Sequence, residues 1–112
     1  MGNKTSQDSI RYVKVKQEDV DQGNPQAQYE QGIVYANGKG VKQDLNKAFQ
    51  SWKLSADQGH SYAQYNLACL YYDGRGVEKD LKKAIQYFKL SADQGNPSAI
   101  FIYHKKFKCE LS

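Results

Sequence analysis

The chain has 112 residues, of which 39% are hydrophobic and 25% charged, and its formal net charge is +4. This length indicates a single domain, and ordinary apolar content with mixed charge argues against a disordered chain. The longest apolar run, Leu67 to Tyr72, is too short to span a membrane, and no apolar segment typical of a secretory signal follows Met1. We therefore expect a cytoplasmic protein.

An internal repeat with a period of 36 residues is the strongest signal in the sequence. Aligning residues 24–59 with residues 60–95 gives nineteen identical pairs, and both segments end in Lys-Leu-Ser-Ala-Asp-Gln-Gly. The chain is therefore divided into an N-terminal tail with a partial capping helix (1–23), two full repeats, and a partial repeat that forms a C-terminal cap (96–112). Such self-similarity is typical of a solenoid, in which each unit buries its apolar face against its neighbours.

The N-terminal tail has the weakest helical pattern. Its Asp-Gln-Gly aligns with the ends of both repeats, which predicts a helix over about Asp8 to Asp21. Ile10 to Val15, however, is β-branched enough to favour an extended segment instead.

Each full repeat shows the start and stop signals of two helices. Asn24 precedes Pro25 as an N-cap precedes the first helical residue, and a pair of glycines later interrupts the apolar pattern. Asp44 then caps a second helix, for which Gly59 is the left-handed C-terminal cap. The predicted antiparallel helices are Pro25–Ala36, Leu45–Gln58, Ser61–Tyr72 and Leu81–Gln94.

The pattern of the repeats resembles that of the Sel-like repeat family, a relative of the tetratricopeptide repeat. The matching residues are Ala27, Gly32, Tyr35, Gly38, Gly40, Val41, Asp44, Ala48, Trp52, Ala56 and Gly59 in the first repeat, and Ala63, Leu67, Tyr71, Gly74, Gly76, Val77, Asp80, Ala84, Phe88, Ala92 and Gly95 in the second. In departures from the pattern, Ala68 replaces a glycine, and Ser55 and Ser91 each replace an alanine. The resemblance implies an all-α fold, an α/α right-handed superhelix of antiparallel helix pairs, used as a scaffold or adaptor in protein complexes.

No set of residues in the sequence indicates catalysis, which needs a nucleophile held by a base or a pair of facing carboxylates. The sequence therefore predicts no catalytic, cofactor-binding or metal-binding residue, and an enzyme is the least favoured class. Asp44 and Asp80 are interpreted as helix caps, His60 as a surface residue at a cap position, and Cys69 as a small apolar residue. Only His104 to Lys108 forms a basic cluster, so a nucleic-acid partner is not expected.

One stripe on the first helix of each repeat varies while the rest of the repeat is kept. In tetratricopeptide-like solenoids this helix lines the concave surface, so the resemblance implies that partners contact this stripe. The predicted partner-binding residues are Gln26, Glu30, Ile33, Tyr62, Asn66, Cys69 and Asp73. We expect a protein or peptide partner. The alternative is a structural piece or a remnant of a longer array, which would form homo-oligomers through exposed repeat ends.

The first six residues match a lipidation motif. Met1-Gly2-Asn3-Lys4-Thr5-Ser6 fits the N-myristoylation pattern with Gly2 as the acceptor, whereas the alternative is a polar tail. A membrane partner and a peripheral membrane location are therefore expected only if Gly2 is myristoylated.

Overall fold

Residues 15–107, the part of the chain that the computed structural model describes, form antiparallel helix pairs stacked in a row. The helices are α1 (Gln17–Asp21), α2 (Pro25–Asn37), α3 (Leu45–Asp57), α4 (Ser61–Asp73), α5 (Leu81–Asp93) and α6 (Pro97–Ile102), and a π-helical turn over Tyr103–Phe107 continues α6. We call α2, α4 and α6 the A helices, and α3 and α5 the B helices. Each A helix except α6 packs against the B helix that follows it, and each B helix packs against the next A helix. The all-α solenoid predicted from the sequence is therefore confirmed.

The helices begin at the predicted caps. The side chain of Asn24 accepts a hydrogen bond from the backbone N–H of Ala27 (3.0 Å), and Asp44 accepts one from that of Lys47 (3.0 Å). The caps repeat 36 residues later with one change, since His60 takes the place of asparagine at the start of α4. These bonds satisfy N–H groups that have no partner within their own helix.

The B helices end in the predicted left-handed glycines, one residue earlier than expected. Gly59 has a φ of +92° and donates to the carbonyl of Ala56 (2.9 Å), while the N–H of His60 donates to that of Ser55 (3.3 Å). These two bonds form a Schellman motif, and Gly95 and Asn96 repeat it at the end of α5. His60 therefore ends α3 with its backbone and begins α4 with its side chain. Helices α2 and α4 each extend one residue beyond the predicted end.

The two helices of each repeat are joined by buried polar contacts as well as by apolar packing. Ser55 Oγ donates to the carbonyl of Pro25 (2.7 Å), and Ser91 Oγ donates to that of Ser61 (2.7 Å). Neither serine is exposed to solvent. The serines that replace alanines of the family pattern thus satisfy carbonyls at the starts of α2 and α4. The amides of Gln58 and Gln94 make a second recurring bond to a glutamine of the paired A helix.

Of the helix predicted over about Asp8 to Asp21, the structure confirms residues 17–21 as α1, whereas the prediction is wrong at residues 15 and 16, which precede the helix. Lys16 has extended backbone angles (φ −84°, ψ 124°) and is exposed. In the 36-residue register it stands where Trp52 and Phe88 are buried in the two full repeats. A charged side chain cannot occupy such a position without a partner, so the helical pattern fails there.

Several predictions fall on residues that the structure does not describe, namely residues 1–14 and 108–112. They include the lipidation motif with Gly2, the extended segment up to residue 14, and Lys108 of the basic cluster. Among the described helices none is long and apolar enough to cross a membrane.

Candidate functional site

An aromatic cluster lies where the first repeat meets the second, on the surface formed by the A helices. The ring of His60 stacks on that of Tyr29 with 4.7 Å between centroids, and Tyr62 lies 6.1 Å from Tyr29 and 6.3 Å from His60. Tyr29 is half-buried, whereas Tyr62 is 53% exposed. Tyr62 is therefore the accessible aromatic side chain of this group, and it lies beside the half-buried ring of Tyr29. We call Tyr29, His60 and Tyr62 the aromatic cluster.

Hydrogen bonds hold the imidazole of this cluster in one tautomer. His60 Nδ1 accepts from the backbone N–H of Ala63 (3.2 Å), so the neutral ring carries its proton on Nε2. Nε2 then donates to Gln26 Oε1 (2.7 Å), and Gln26 Nε2 donates to Glu30 Oε2 (3.1 Å). Two predicted partner-binding residues, Gln26 and Glu30, are thus linked to the cap of α4.

Burial shifts the pKa values of His60 and Tyr29 in this cluster. The pKa of His60 lies below its usual value because burial disfavours the charged ring, and the carboxylate of Glu30 opposes this effect only in part. Burial also raises the pKa of Tyr29, with smaller contributions from Tyr62 and Glu30. At neutral pH the cluster therefore presents neutral rings beside a single carboxylate.

The remaining predicted residues lie further along the A helices, away from the aromatic cluster. Asn66, Cys69 and Asp73 line a hollow of about 360 Å³ between α2 and α4. Ile33 is half-buried and packs against the core rather than standing free. The structure thus divides the predicted stripe into two parts. Tyr62 belongs to the aromatic cluster and Gln26 and Glu30 lie beside it, whereas the other four residues lie further along the A helices.

Two side chains of the hollow differ in their chemistry. In the part of the chain that the structure describes, the side-chain amide of Asn66 makes no hydrogen bond, which leaves a donor and an acceptor for a ligand. Burial raises the pKa of the Cys69 thiol, Asp73 adds to this rise, and a hydrogen bond with Tyr65 offsets part of it. A protonated, half-buried thiol agrees with the interpretation of Cys69 as a small apolar residue.

The A-helix surface continues onto a third helix that the sequence prediction did not include. Adding 36 to three positions of the α4 stripe gives Ser98, Ile102 and Lys105, of which Ile102 is half-buried and the other two are exposed. The same register that linked the first two repeats could have identified this row. Among residues 15–107 no group of three or more histidine, cysteine, aspartate or glutamate side chains could hold a metal ion.

The pattern of paired helices and glycine loops is matched by the Sel1 repeat, whose family profile fits residues 25–60 and 61–96. The chain belongs to the Sel1 repeat family. Sel1 repeats are generally non-catalytic helical scaffolds that mediate protein–protein interactions. No curated protein matches the chain.

Three solved Sel1-type structures are similar to this chain. A protective antigen of uropathogenic Escherichia coli that displays an SLR fold is 39% identical over 70% of this chain and 17% of its own length, with a TM-score of 0.69. A Sel1 repeat protein from Oxalobacter formigenes is 33% identical over 73% of this chain and 34% of its own, with a TM-score of 0.71. Cysteine-rich protein B of Helicobacter pylori is 29% identical over 74% of this chain and 62% of its own, again with a TM-score of 0.71. The chain thus spans less than two thirds of the length of each relative.

Proposed function

We propose that this Sel1 repeat protein is a non-catalytic adaptor that binds a peptide or protein segment on its A-helix surface. The proposed contacts are Gln26, Glu30, Ile33, Tyr62, Asn66, Cys69 and Asp73. The observation that carries the proposal is the aromatic cluster, in which Tyr62 is 53% exposed beside a ring that hydrogen bonds hold in place. An accessible tyrosine is a common anchor in protein interfaces, because it buries a large area and loses little conformational entropy.

The polar groups around the cluster support the same proposal. Glu30, and the side-chain amide of Asn66 that makes no hydrogen bond within residues 15–107, offer acceptors and a donor to the backbone or side chains of a bound segment. Since apolar and polar groups alternate along the A helices, the surface suits a ligand that lies across more than one repeat.

The experiment that tests this proposal is affinity capture with residues 1–112 as bait. The Glu30→Ala/Tyr62→Ala variant removes the carboxylate and the exposed ring, and the Leu54→Ala/Asp57→Ala variant is the matched control. This control also removes one exposed apolar side chain and one carboxylate, but from α3. The proposal is supported if the wild type and the control capture a stoichiometric partner that the first variant does not capture. The same difference should then be reproduced with the purified partner. Equal capture by all three proteins would remove the A-helix surface from consideration.

The second candidate is self-assembly, and the exposed apolar residues of α6 favour it. Phe101 is 62% exposed and Ile100 39% exposed. Phe101 stands 36 residues after Tyr65, whose ring contacts Phe88 of the following B helix (5.7 Å). A second copy could cover this face of α6. Light scattering after size-exclusion chromatography decides between the candidates, because a monomer at high micromolar concentration argues against self-assembly.

A further inference from the structure

A small apolar cavity lies between α4 and the π-helical turn at the third row of the A-helix surface. Its volume is about 180 Å³, and its apolar walls are Cys69, Tyr72, Phe88, Ile102 and Phe107. An apolar cavity of roughly 150 Å³ can hold a benzene ring, so this one has room for a single large apolar side chain.

Aromatic stacking fixes the walls of this cavity. Phe107 stacks on Phe88 with 5.6 Å between centroids and an interplanar angle of 21°, and it meets the ring of Tyr72 at 5.9 Å and 62°. Phe107 and Phe88 are both buried. The cavity therefore needs no rearrangement of its walls to receive a side chain, which reduces the entropy lost on binding.

Two ammonium groups lie on the π-helical turn, and one of them, that of Lys106, lines the cavity. Lys106 Nζ lies 5.6 Å from the centre of the Tyr72 ring, and Lys105 Nζ lies 5.2 Å from that of Phe101. Within residues 15–107 neither ammonium group is paired with a carboxylate. The carboxylate of Asp73 also lines the cavity. The π-helical turn thus adds two positive charges beside the cavity, against the single carboxylate of Asp73 in its lining.

We infer that the segment bound by this surface is an acidic peptide with an apolar anchor residue. The apolar side chain fills the cavity, and an aspartate or glutamate close to it in the peptide pairs with Lys105 and Lys106. Opposite charge beside the cavity sets the orientation of the peptide and increases its rate of association. The inference rests on the proposed function, and it names the chemistry of the partner.

The test begins with a phage-displayed library of random twelve-residue peptides selected on the immobilised full chain. We expect enrichment of peptides with a leucine, isoleucine, methionine or phenylalanine followed or preceded within three residues by an aspartate or glutamate. A fluorescent synthetic peptide with the enriched sequence then gives affinities by anisotropy. The Lys105→Glu/Lys106→Glu variant should bind it at least about ten-fold more weakly, and should regain affinity for a peptide in which lysine replaces the acidic residue.

The matched control is Lys82→Glu/Lys83→Glu on α5. It makes the same change in net charge, and Lys83 also lies over an aromatic ring, that of Tyr71 (5.6 Å). This control should bind the acidic peptide within about two-fold of the wild type. Circular dichroism confirms that each variant is folded before its affinity is compared.

Three results would overturn the inference. Selected peptides without an acidic preference, or an equal loss of affinity in the control, would show that Lys105 and Lys106 do not select the ligand. Peptides that bind through Glu30 and Tyr62 but not through Lys105 and Lys106 would overturn it while the proposed function stands. If no peptide is enriched, the inference also fails, and the capture experiment above then decides the proposed function by itself.

Discussion

The close contact between Gly32 and Trp52 leads to a prediction about how the two helices of the first repeat are matched. A Cβ atom added at Gly32 would lie 2.2 Å from Trp52 Nε1 and 2.4 Å from its Cδ1. The second repeat has Ala68 and Phe88 at the equivalent positions, both buried in the same core cluster. A glycine therefore faces the larger ring and an alanine the smaller one.

The Gly32→Ala substitution tests this complementarity. Moving the indole costs about 1–3 kcal/mol for overpacking, and breaking the bond from Trp52 Nε1 to the carbonyl of Tyr29 (3.0 Å) costs about 1 kcal/mol more. The higher helix propensity of alanine returns about 1 kcal/mol. We expect a net loss of about 1–3 kcal/mol in the free energy of unfolding. The Trp52→Phe variant should also be destabilised, because it loses the same hydrogen bond and leaves a cavity.

Combining the two changes reproduces the pair of the second repeat. The methyl group of the new alanine occupies space that the indole has left, so the double variant should lose about 1–3 kcal/mol less than the sum of the single losses. Urea unfolding followed by circular dichroism measures all four proteins, because Trp52 is the only tryptophan and its fluorescence is lost in two of them. Additivity of the single effects to within about 0.5 kcal/mol would refute the reasoning.

Three further predictions concern the cap, the helix pairing and the thiol. Because burial keeps the pKa of His60 below its usual value, the unfolded chain binds more protons on acidification. The urea midpoint should therefore decrease as the pH is lowered from 7.5 to 5.5, and the His60→Asn variant should show a smaller decrease. An equal decrease in the variant would show that His60 does not cause the pH dependence. Ser91→Ala should lower the free energy of unfolding by about 1 kcal/mol through loss of its bond to the carbonyl of Ser61, whereas an unchanged midpoint would show that the bond contributes nothing. In a Cys109→Ser background, iodoacetamide should modify Cys69 more slowly than a cysteine in a short unstructured peptide, as measured by mass spectrometry, and an equal rate would contradict the raised pKa.

The helix boundaries could be predicted to within one residue because their signals are local. The side chains of Asn24 and Asp44 accept hydrogen bonds from N–H groups three residues away. Gly59 belongs to a motif whose hydrogen bonds reach back only to Ser55 and Ala56. In the structure, the helix predicted before the first repeat does not include Lys16, because this charged residue occupies a position that is buried and aromatic in the full repeats. Local signals thus predict the fold wherever the repeat is regular.

The geometry of the candidate site could not be predicted in the same way, because it depends on contacts between repeats. The sequence placed His60 at a cap position, but it did not predict the stacking of His60 on Tyr29, which lies 31 residues earlier and on another helix. The cavity beside Phe107 depends on the change from α-helix to π-helical turn after Ile102, for which the sequence offered no signal. Only the row of Ser98, Ile102 and Lys105 could have been found by extending the register.

The pairing of Gly32 with Trp52, and of Ala68 with Phe88, also limits how the two repeats can be recombined. A crossover at the loop between the helices of a repeat would join one A helix to the B helix of the other repeat. One product would place Ala68 against Trp52, with a methyl group where the indole lies, and the other would leave a gap between Gly32 and Phe88. A crossover between repeats keeps both pairs intact. Duplication or loss of repeats in this gene should therefore be tolerated only in whole 36-residue units that begin at the residue capping an A helix.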